Sequence, residues 1–412
     1  MASDEVDMSK SSPRNRPLQQ PSLPWRMTSS LVMGLTAALS RGFLYGLNSV
    51  EVVGLERFLD VLDSRKDVEK RQRGLVTVSN HVSVLDDPIL WGVLPLRYAF
   101  NPSNFRWGLG AHDICFKNKL LGSFFYSGQV LPTHRLQHSP HGGLFQPTIP
   151  EAIRLLSSQP FTSPQPSSPP SPSPSPSPSP PSTASAPSLS HENDPFTAGS
   201  DSPPPNTYTT TGTDHYVAPS SYARNRHAWV HVFPEACVHQ HPRLHLRYFK
   251  WGISRLILES EPAPDVLPLF VDGAQRLMPE DRRFPRFVPR AGTRFRVAFG
   301  ELLDVEAAFG DLRARWRDLV RREEKGGGGS GVMGMGMGEG ELSEELKYGR
   351  EAVDLRIEVA RRVREEVLKV RGVLGYRDGD EPGFERAETW ARELDRERFR
   401  SNVDDSLVNK RK

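Results

Sequence analysis

The chain has 412 residues, with 53 basic side chains against 50 acidic ones and only two cysteines. A net charge of +3 excludes a protein that gathers polyanions by bulk charge. Cys115 and Cys237, far apart and without CxxC spacing, exclude a disulfide framework and a thiolate zinc module.

Residues 1–24 are polar and Pro-rich and are expected to be disordered. Residues 27–62 read as helical. Within them, 29–47 is apolar but interrupted by Arg41, which is too little for the roughly 20 charge-free residues of a simple span. The stretch 27–50 therefore predicts an interfacial membrane helix, with the Leu31-Val32-Met33 run, Leu35, Leu39, Phe43 and Leu44 as its lipid-contacting side chains. An ordinary amphipathic core helix is the alternative. Asp4, Glu5 and Asp7 do not suit an acid-poor transit peptide.

From Gly74 onward, short β-rich runs alternate with helical ones. Strands are predicted at 75–79, 105–111, 129–132, 228–233, 267–271 and 294–299, and helices at 88–94, 117–127, 149–158 and 249–260. This alternation predicts an α/β domain. It is interrupted at 161–220 by a Ser/Pro/Thr-rich insertion, expected to be disordered because it cannot bury enough apolar surface to offset its ordering entropy. A Gly/Met loop at 326–340 separates helices at 305–324 and 341–370. The second of these carries an apolar stripe (Ala352, Leu355, Val359, Val363, Val367, Val370), and a polar tail, 376–412, follows.

The most informative run is Ser79-Asn80-His81-Val82-Ser83-Val84-Leu85-Asp86-Asp87-Pro88. Five positions put His81 and Asp86 roughly 140° apart on a helix, and an odd offset puts them on opposite faces of a strand. For imidazole and carboxylate to meet, the chain must turn between them, and Asp87-Pro88 suits a helix start just after such a turn. A His backed by a carboxylate has the make-up of a general base for a hydroxyl. A packed histidine beside a capping Asp is the plain alternative. Of the 12 histidines, only His81 has an acid five positions on.

A second strand-to-turn run, His231-Val232-Phe233-Pro234-Glu235-Ala236, leads into a basic and aromatic stretch from Arg243 to Trp251. Cations and aromatics ahead of an apolar helix suit a phospholipid head group and its tails, and no nucleic-acid signature accompanies them. His239, His241 and His245 lack a nearby Cys or carboxylate at helical spacing, so no metal site is expected. Arg135, just past the 129–132 strand, is a further cation near a strand end, and on its sequence alone a solvated loop arginine is the favoured reading.

Asn80-His81-x4-Asp86 (an HX4D motif) followed by Asp87-Pro88, together with Phe233-Pro234-Glu235, resembles the motifs of the glycerophospholipid acyltransferases. The resemblance extends over roughly 25–160 and 222–375. It departs at Ala236, where a glycine is expected, and at Val130-Leu131-Pro132-Thr133-His134-Arg135, which matches the second motif only approximately.

The resemblance implies one acyltransferase-like α/β domain with a mixed sheet, formed by 25–160 and 221–375. It implies His81 as base with Asp86 as its partner, and Arg135, Phe233, Pro234, Glu235, Arg243 and Lys250 as substrate-binding residues. The implied activity is transfer of an acyl chain from a phospholipid to a lysophospholipid, without CoA or any other cofactor. Monolysocardiolipin is among the implied acceptors, in cardiolipin remodelling. The implied partners are the lipid substrates, an anionic membrane surface such as one bearing cardiolipin, and mitochondrial membrane protein complexes. The implied location is the intermembrane-space face of the mitochondrial membranes, inner and outer. Two alternatives share much of this pattern: a CoA-dependent lysophosphatidate-type acyltransferase and a non-catalytic membrane lipid-binding protein.

Overall fold

The computed structural model describes residues 20–136, 138–158, 207–326 and 342–391. In chain order the elements are α1 (Leu23–Leu47), β1 (Ser49–Val53), α2 (Leu55–Ser64), β2 (Leu75–Val78), α3 (Asp86–Trp91), β3 (Arg106–Ala111), α4 (His112–Cys115), α5 (Lys119–Ser127), β4 (Val130–Thr133) and α6 (Thr148–Leu156). There follow β5 (Thr207–Tyr208), β6 (Tyr216–Val217), β7 (Trp229–Val232), α7 (Gly252–Glu259), β8 (Asp265–Asp272), α8 (Ala274–Leu277), β9 (Arg294–Phe299), α9 (Val305–Gly326), α10 (Glu344–Tyr348), α11 (Arg350–Val373) and α12 (Ala387–Ala391).

Seven strands form one mixed sheet in the order β1-β9-β8-β2-β7-β3-β4. Neighbours are parallel except β8 and β9, which pair antiparallel. Strands β2, β7, β3, β4 and β8 therefore end at one edge of the sheet, where β1 and β9 begin. The central strands β2 (LVTV) and β7 (WVHV) are buried at every position, as parallel strands covered on both faces are. Helices α6, α7, α9 and α11 pack together and onto the sheet, while α1 packs on α3, α5 and β1.

Five expectations are corrected. The region 27–62 is not one helix. Asn48 ends α1, Ser49–Val53 joins the sheet edge beside β9, and Gly54, with φ 74°, turns the chain into α2. A Cβ there would lie 2.3 Å from the Phe299 carbonyl, so the turn requires glycine.

On α1, helical periodicity puts Met33, Ala37, Ser40 and Leu44 on the buried face, while Leu31, Leu35 and Leu39 are exposed and Val32 is half-buried. Leu44 is wholly buried and so is not placed to touch lipid, while Phe43 is half-buried against the core. Among the described residues α1 is the one helix long and apolar enough to cross a bilayer. Its buried face instead docks on the domain, with the Ser29 hydroxyl donating to the Ser127 carbonyl at 2.6 Å.

Of the stretch 161–220 expected to be disordered, the described part from 207 on is folded. Residues 207–217 form a small hairpin (β5–β6), because the Asp214 carboxylate accepts from the Thr209 hydroxyl at 2.8 Å and from the Thr210 and Thr211 amides at 2.7 and 2.8 Å. Residues 161–206, like 1–19 and 327–340, lie outside the described residues.

The 341–370 helix is two helices, broken at Gly349. In the tail expected to be polar from 376, the described residues 376–391 are folded, with Phe384 and Trp390 buried, and 392–412 lie outside the described residues. Asp378, Asp380 and Glu381 anchor it by pairing with Arg371 and His245, with Arg364, and with Arg243 and His241 respectively.

Candidate active site

The chain leaves β2 at Val78 and turns sharply before α3. Inside that turn the buried Asp86 carboxylate collects three donors on one oxygen: His81 Nδ1 at 2.8 Å and the Val82 and Ser83 amides at 2.6 and 2.8 Å. The five-residue spacing is thus resolved by a turn that brings ring and carboxylate together. Nδ1 donates to Asp86, which leaves Nε2 as the basic nitrogen of a ring that is 23% exposed. Ser83 is a buried turn serine whose oxygen accepts the Leu85 amide, not a nucleophile beside the ring. The start of α3 carries Asp86 and Asp87 in its first turn, so it is poorly suited to receive an oxyanion.

The turn after β7 supplies the opposite wall. Phe233 stacks on the His81 ring with centroids 4.5 Å apart, and the Pro234 carbonyl accepts the Lys250 amide at 2.8 Å. Glu235 is buried and its two oxygens accept main-chain donors: His81 N–H at 2.9 Å and Arg247 N–H at 3.0 Å. Burial pushes this carboxyl up to about 7, against the pull of those two amides. Each of its oxygens is thus engaged by a main-chain amide, one of them that of His81. The next residue, Ala236, has φ 55°, so the turn uses the left-handed conformation that the expected glycine would favour.

Residues the sequence left without a role complete the frame. The Asn80 side chain donates to the Val271 carbonyl and accepts the Val271 amide, at 2.9 and 2.8 Å, stitching the His81 turn to β8. The His81 carbonyl accepts the His239 amide at 2.7 Å. Gln240 donates to the Val82 carbonyl at 2.8 Å. Asp87 pairs with Arg106 and accepts Trp91 Nε1 at 2.9 Å. Trp91 packs edge-on against Trp229 and His231, each at 4.8 Å, contacts worth about 0.5–1.5 kcal/mol apiece that fix α3 on β7. His231, bonded to the Thr77 hydroxyl at 2.8 Å, is pushed down to about 3 by burial and stays neutral beneath Phe233. None of these bonds has a spacing signature; the one available hint is that Asn80 adjoins His81.

Two of the cations singled out in the sequence, Arg135 and Arg243, are each held by a carboxylate of their own. Arg135 follows β4, three strands from β2 or about 14 Å by strand spacing, and pairs with Asp113. Arg243 is exposed and paired with Glu381 at 3.0 Å. Lys250 is exposed at the turn before α7.

His241 and His245 do meet a carboxylate, that of Glu381. However, the Nδ1 atoms of both rings accept backbone amides, from Arg243 at 3.2 Å and from Glu381 at 3.3 Å. That places the protons on the Nε2 atoms facing Glu381 and Asp378, where a metal would need lone pairs. His112, His134 and Asp214 also come together, but the Asp214 carboxylate is engaged by the threonines of its hairpin.

No protein-family model matches the chain. It is 33% identical to tafazzin of Saccharomyces cerevisiae over 387 residues, which is 92% of this chain and 85% of that one. It is 29% identical to tafazzin of Drosophila melanogaster over 72% of this chain and 57% of the relative. A crystal structure of the 1-acyl-sn-glycerophosphate acyltransferase of Thermotoga maritima aligns over 73% of this chain and 81% of that one, with 12% identity and a TM-score of 0.33. On the near full-length match to the yeast protein, the chain is an acyltransferase and belongs to the tafazzin family.

Proposed function

We propose that the protein is a phospholipid–lysophospholipid transacylase whose base is His81. The observation that carries this reading is the 2.8 Å bond between His81 Nδ1 and the buried Asp86 carboxylate, at the sheet edge where parallel strands end. Nε2 of His81 takes the proton of a lysophospholipid hydroxyl as that oxygen attacks the ester carbonyl of a donor phospholipid. Asp86 holds the ring and stabilises the imidazolium. Collapse of the tetrahedral intermediate breaks the donor's ester C–O bond, and the imidazolium returns the proton to the departing glycerol oxygen. A new phospholipid and a new lysophospholipid result, with no soluble acyl donor consumed.

Glu235 and Asn80 act as positioning residues through the main chain of this turn, and Phe233 covers one face of the ring. The exposed Leu31, Leu35 and Leu39 of α1 attach the domain to one membrane leaflet, where both substrates reside. Family membership supports monolysocardiolipin as an acceptor and the intermembrane-space face of mitochondrial membranes as the location.

The test is transfer of a labelled acyl chain from phosphatidylcholine to a lysophospholipid in liposomes, with and without CoA. Wild type exchanges label without CoA, whereas His81→Ala and Asp86→Asn lose about a hundredfold or more and still bind liposomes. Exchange at wild-type rate in both variants, or transfer from acyl-CoA alone, overturns the proposal.

A further inference from the structure

A long connection joins β8 to β9 beside the His81 turn, and it is built unlike a solvated loop. Residues 281–290 read Asp-Arg-Arg-Phe-Pro-Arg-Phe-Val-Pro-Arg, four arginines against one acid. Phe284 is 89% exposed, Phe287 76% and Val288 49%. Arg283, Arg286 and Arg290 are exposed among them. A monomer in water has no use for two such phenyl rings standing clear of every neighbour.

The base of the segment is fixed. Arg290 N–H donates to the Leu277 carbonyl at 2.9 Å, Gly292 N–H to the Leu47 carbonyl at 2.8 Å, and Thr293 N–H to Asn48 Oδ1 at 3.1 Å. Gln240 donates to the carbonyls of both Met278 and Val82, at 3.0 and 2.8 Å, which ties the start of the segment to the residue next to His81. The segment leaves β8 and re-enters β9 at the edge where β2 ends, and α1 ends there too, because Ser49 pairs with Arg294. The exposed apolar face of α1, with Leu39, Tyr45 and Leu47 at its C-terminal end, therefore runs up to this segment, beside the mouth of the His81 turn.

We infer that residues 281–290 form a second membrane-contacting element, which seats the mouth of the His81 site on a bilayer carrying anionic lipid. The inference rests on the proposed lipid reading of that site. Phe284, Phe287 and Val288 enter the interface, each ring strengthening partition about tenfold or more. Arg283, Arg286 and Arg290 meet lipid phosphates, each worth about fivefold on an anionic surface. Charge decides between occupants: arginines interleaved with aromatics fit an anionic bilayer. Continuity with the apolar face of α1 makes one docking plane, which opens the base to lipids still held in their leaflet.

The experiment floats the full-length protein with vesicles of phosphatidylcholine alone and of phosphatidylcholine mixed with phosphatidylglycerol. The triple variant Arg283→Gln/Arg286→Gln/Arg290→Gln should bind the mixed vesicles about a hundredfold less and the neutral ones as wild type does. Phe284→Ser/Phe287→Ser should bind both more weakly. A Phe287→Trp variant should gain blue-shifted emission over wild type on mixed vesicles, quenched by brominated acyl chains. Unchanged flotation of both loop variants, or no added quenching, overturns the inference, including in the case where the loop serves a protein partner. In detergent micelles the loop variants should exchange acyl chains as wild type does; loss there with vesicle binding intact also overturns it. If wild type exchanges nothing with any donor, the transacylase reading fails while flotation still decides the loop.

Discussion

Arg364 on α11 supports His81 across the width of the domain through one carboxylate. Its Nε donates to the Arg247 carbonyl at 2.7 Å, Arg247 N–H donates to Glu235 at 3.0 Å, and the other oxygen of Glu235 holds His81 N–H at 2.9 Å. Arg364 also donates to the Leu246 carbonyl at 2.8 Å and pairs with Asp380, so one buried guanidinium ties the helix, the basic stretch and the C-terminal segment together.

Replacing Arg364 with Met should therefore cost about 3 kcal/mol or more, because Asp380 and two carbonyls lose their buried partner. Acyl exchange should fall in turnover more than in apparent lipid affinity, since Arg364 reaches the base and not the substrate. Arg364→Lys should recover only part of either loss, as an ammonium lacks the planar fork. Urea unfolding and exchange kinetics on purified protein measure both; a variant as stable and active as wild type refutes the relay.

Glu235 gives a pH signature in stability. Its carboxyl rises from the 4.5 of a free Glu to about 7, so between those values the folded chain binds a proton that the unfolded chain has lost. Its contribution is complete below pH 4.5 and drains away as pH rises through 7, by about 3 kcal/mol in all. Glu151, also pushed up to about 7 by burial, adds a slope of the same sign, and His231, held near 3, one of the opposite sign. Subtracting the unfolding free energy of Glu235→Gln from that of wild type across pH 4 to 8 isolates the Glu235 share. A flat difference would mean that Glu235 titrates in the fold as it does in the unfolded chain.

Ala236 sits at φ 55°, where an L side chain is strained by about 1–2 kcal/mol. Glycine removes that strain and returns part of the gain as unfolded-chain entropy. Ala236→Gly should stabilise the fold by about 0.5–1 kcal/mol, read as a higher Tm, and leave exchange at or above the wild-type rate. A lower Tm would show that the methyl group contributes more by packing than it strains.

Helix α1 offers a paired contrast. Leu35→Gln removes an exposed apolar side chain and should weaken liposome flotation without moving Tm. Leu44→Ala empties a fully buried position and should cost about 2–5 kcal/mol, with flotation of the folded fraction unchanged. Equal effects of the two on flotation would contradict the division of faces along this helix.

Strand β2 and most of β7 were legible as apolar, β-branched runs typical of buried parallel strands, and β9 as a run whose first residues alternate polar and apolar. Strand β1 was not: Ser-Val-Glu-Val-Val is a half-exposed edge segment that follows a long helix with little punctuation. The His81–Asp86 contact could be read because five positions force a turn if the two side chains meet at all. The function of Glu235 could not, because its partners are main-chain amides 154 and 12 positions away and sequence does not reveal which acids are buried. Arg135 and Arg243 show the same limit from the other side, since each is held by a carboxylate that its own sequence neighbourhood does not announce. The folded C-terminal segment escaped for a related reason, since its acids look solvated until the buried arginines of α11 are known.

Strand β7 occupies the slot between β2 and β3, although both neighbours are made more than a hundred residues earlier. During synthesis the first half of the sheet must wait with two unsatisfied strand edges, held apart until residue 232 arrives to bridge them. The His81 turn gains Glu235 only after that bridge closes, and the Arg364 support only when nearly the whole chain is available. The His81–Asp86 pair itself is local, but its outer supports come from residues far down the chain. Lesions that slow the docking of β7 should reduce the yield of protein in cells while leaving the specific activity of the surviving molecules intact.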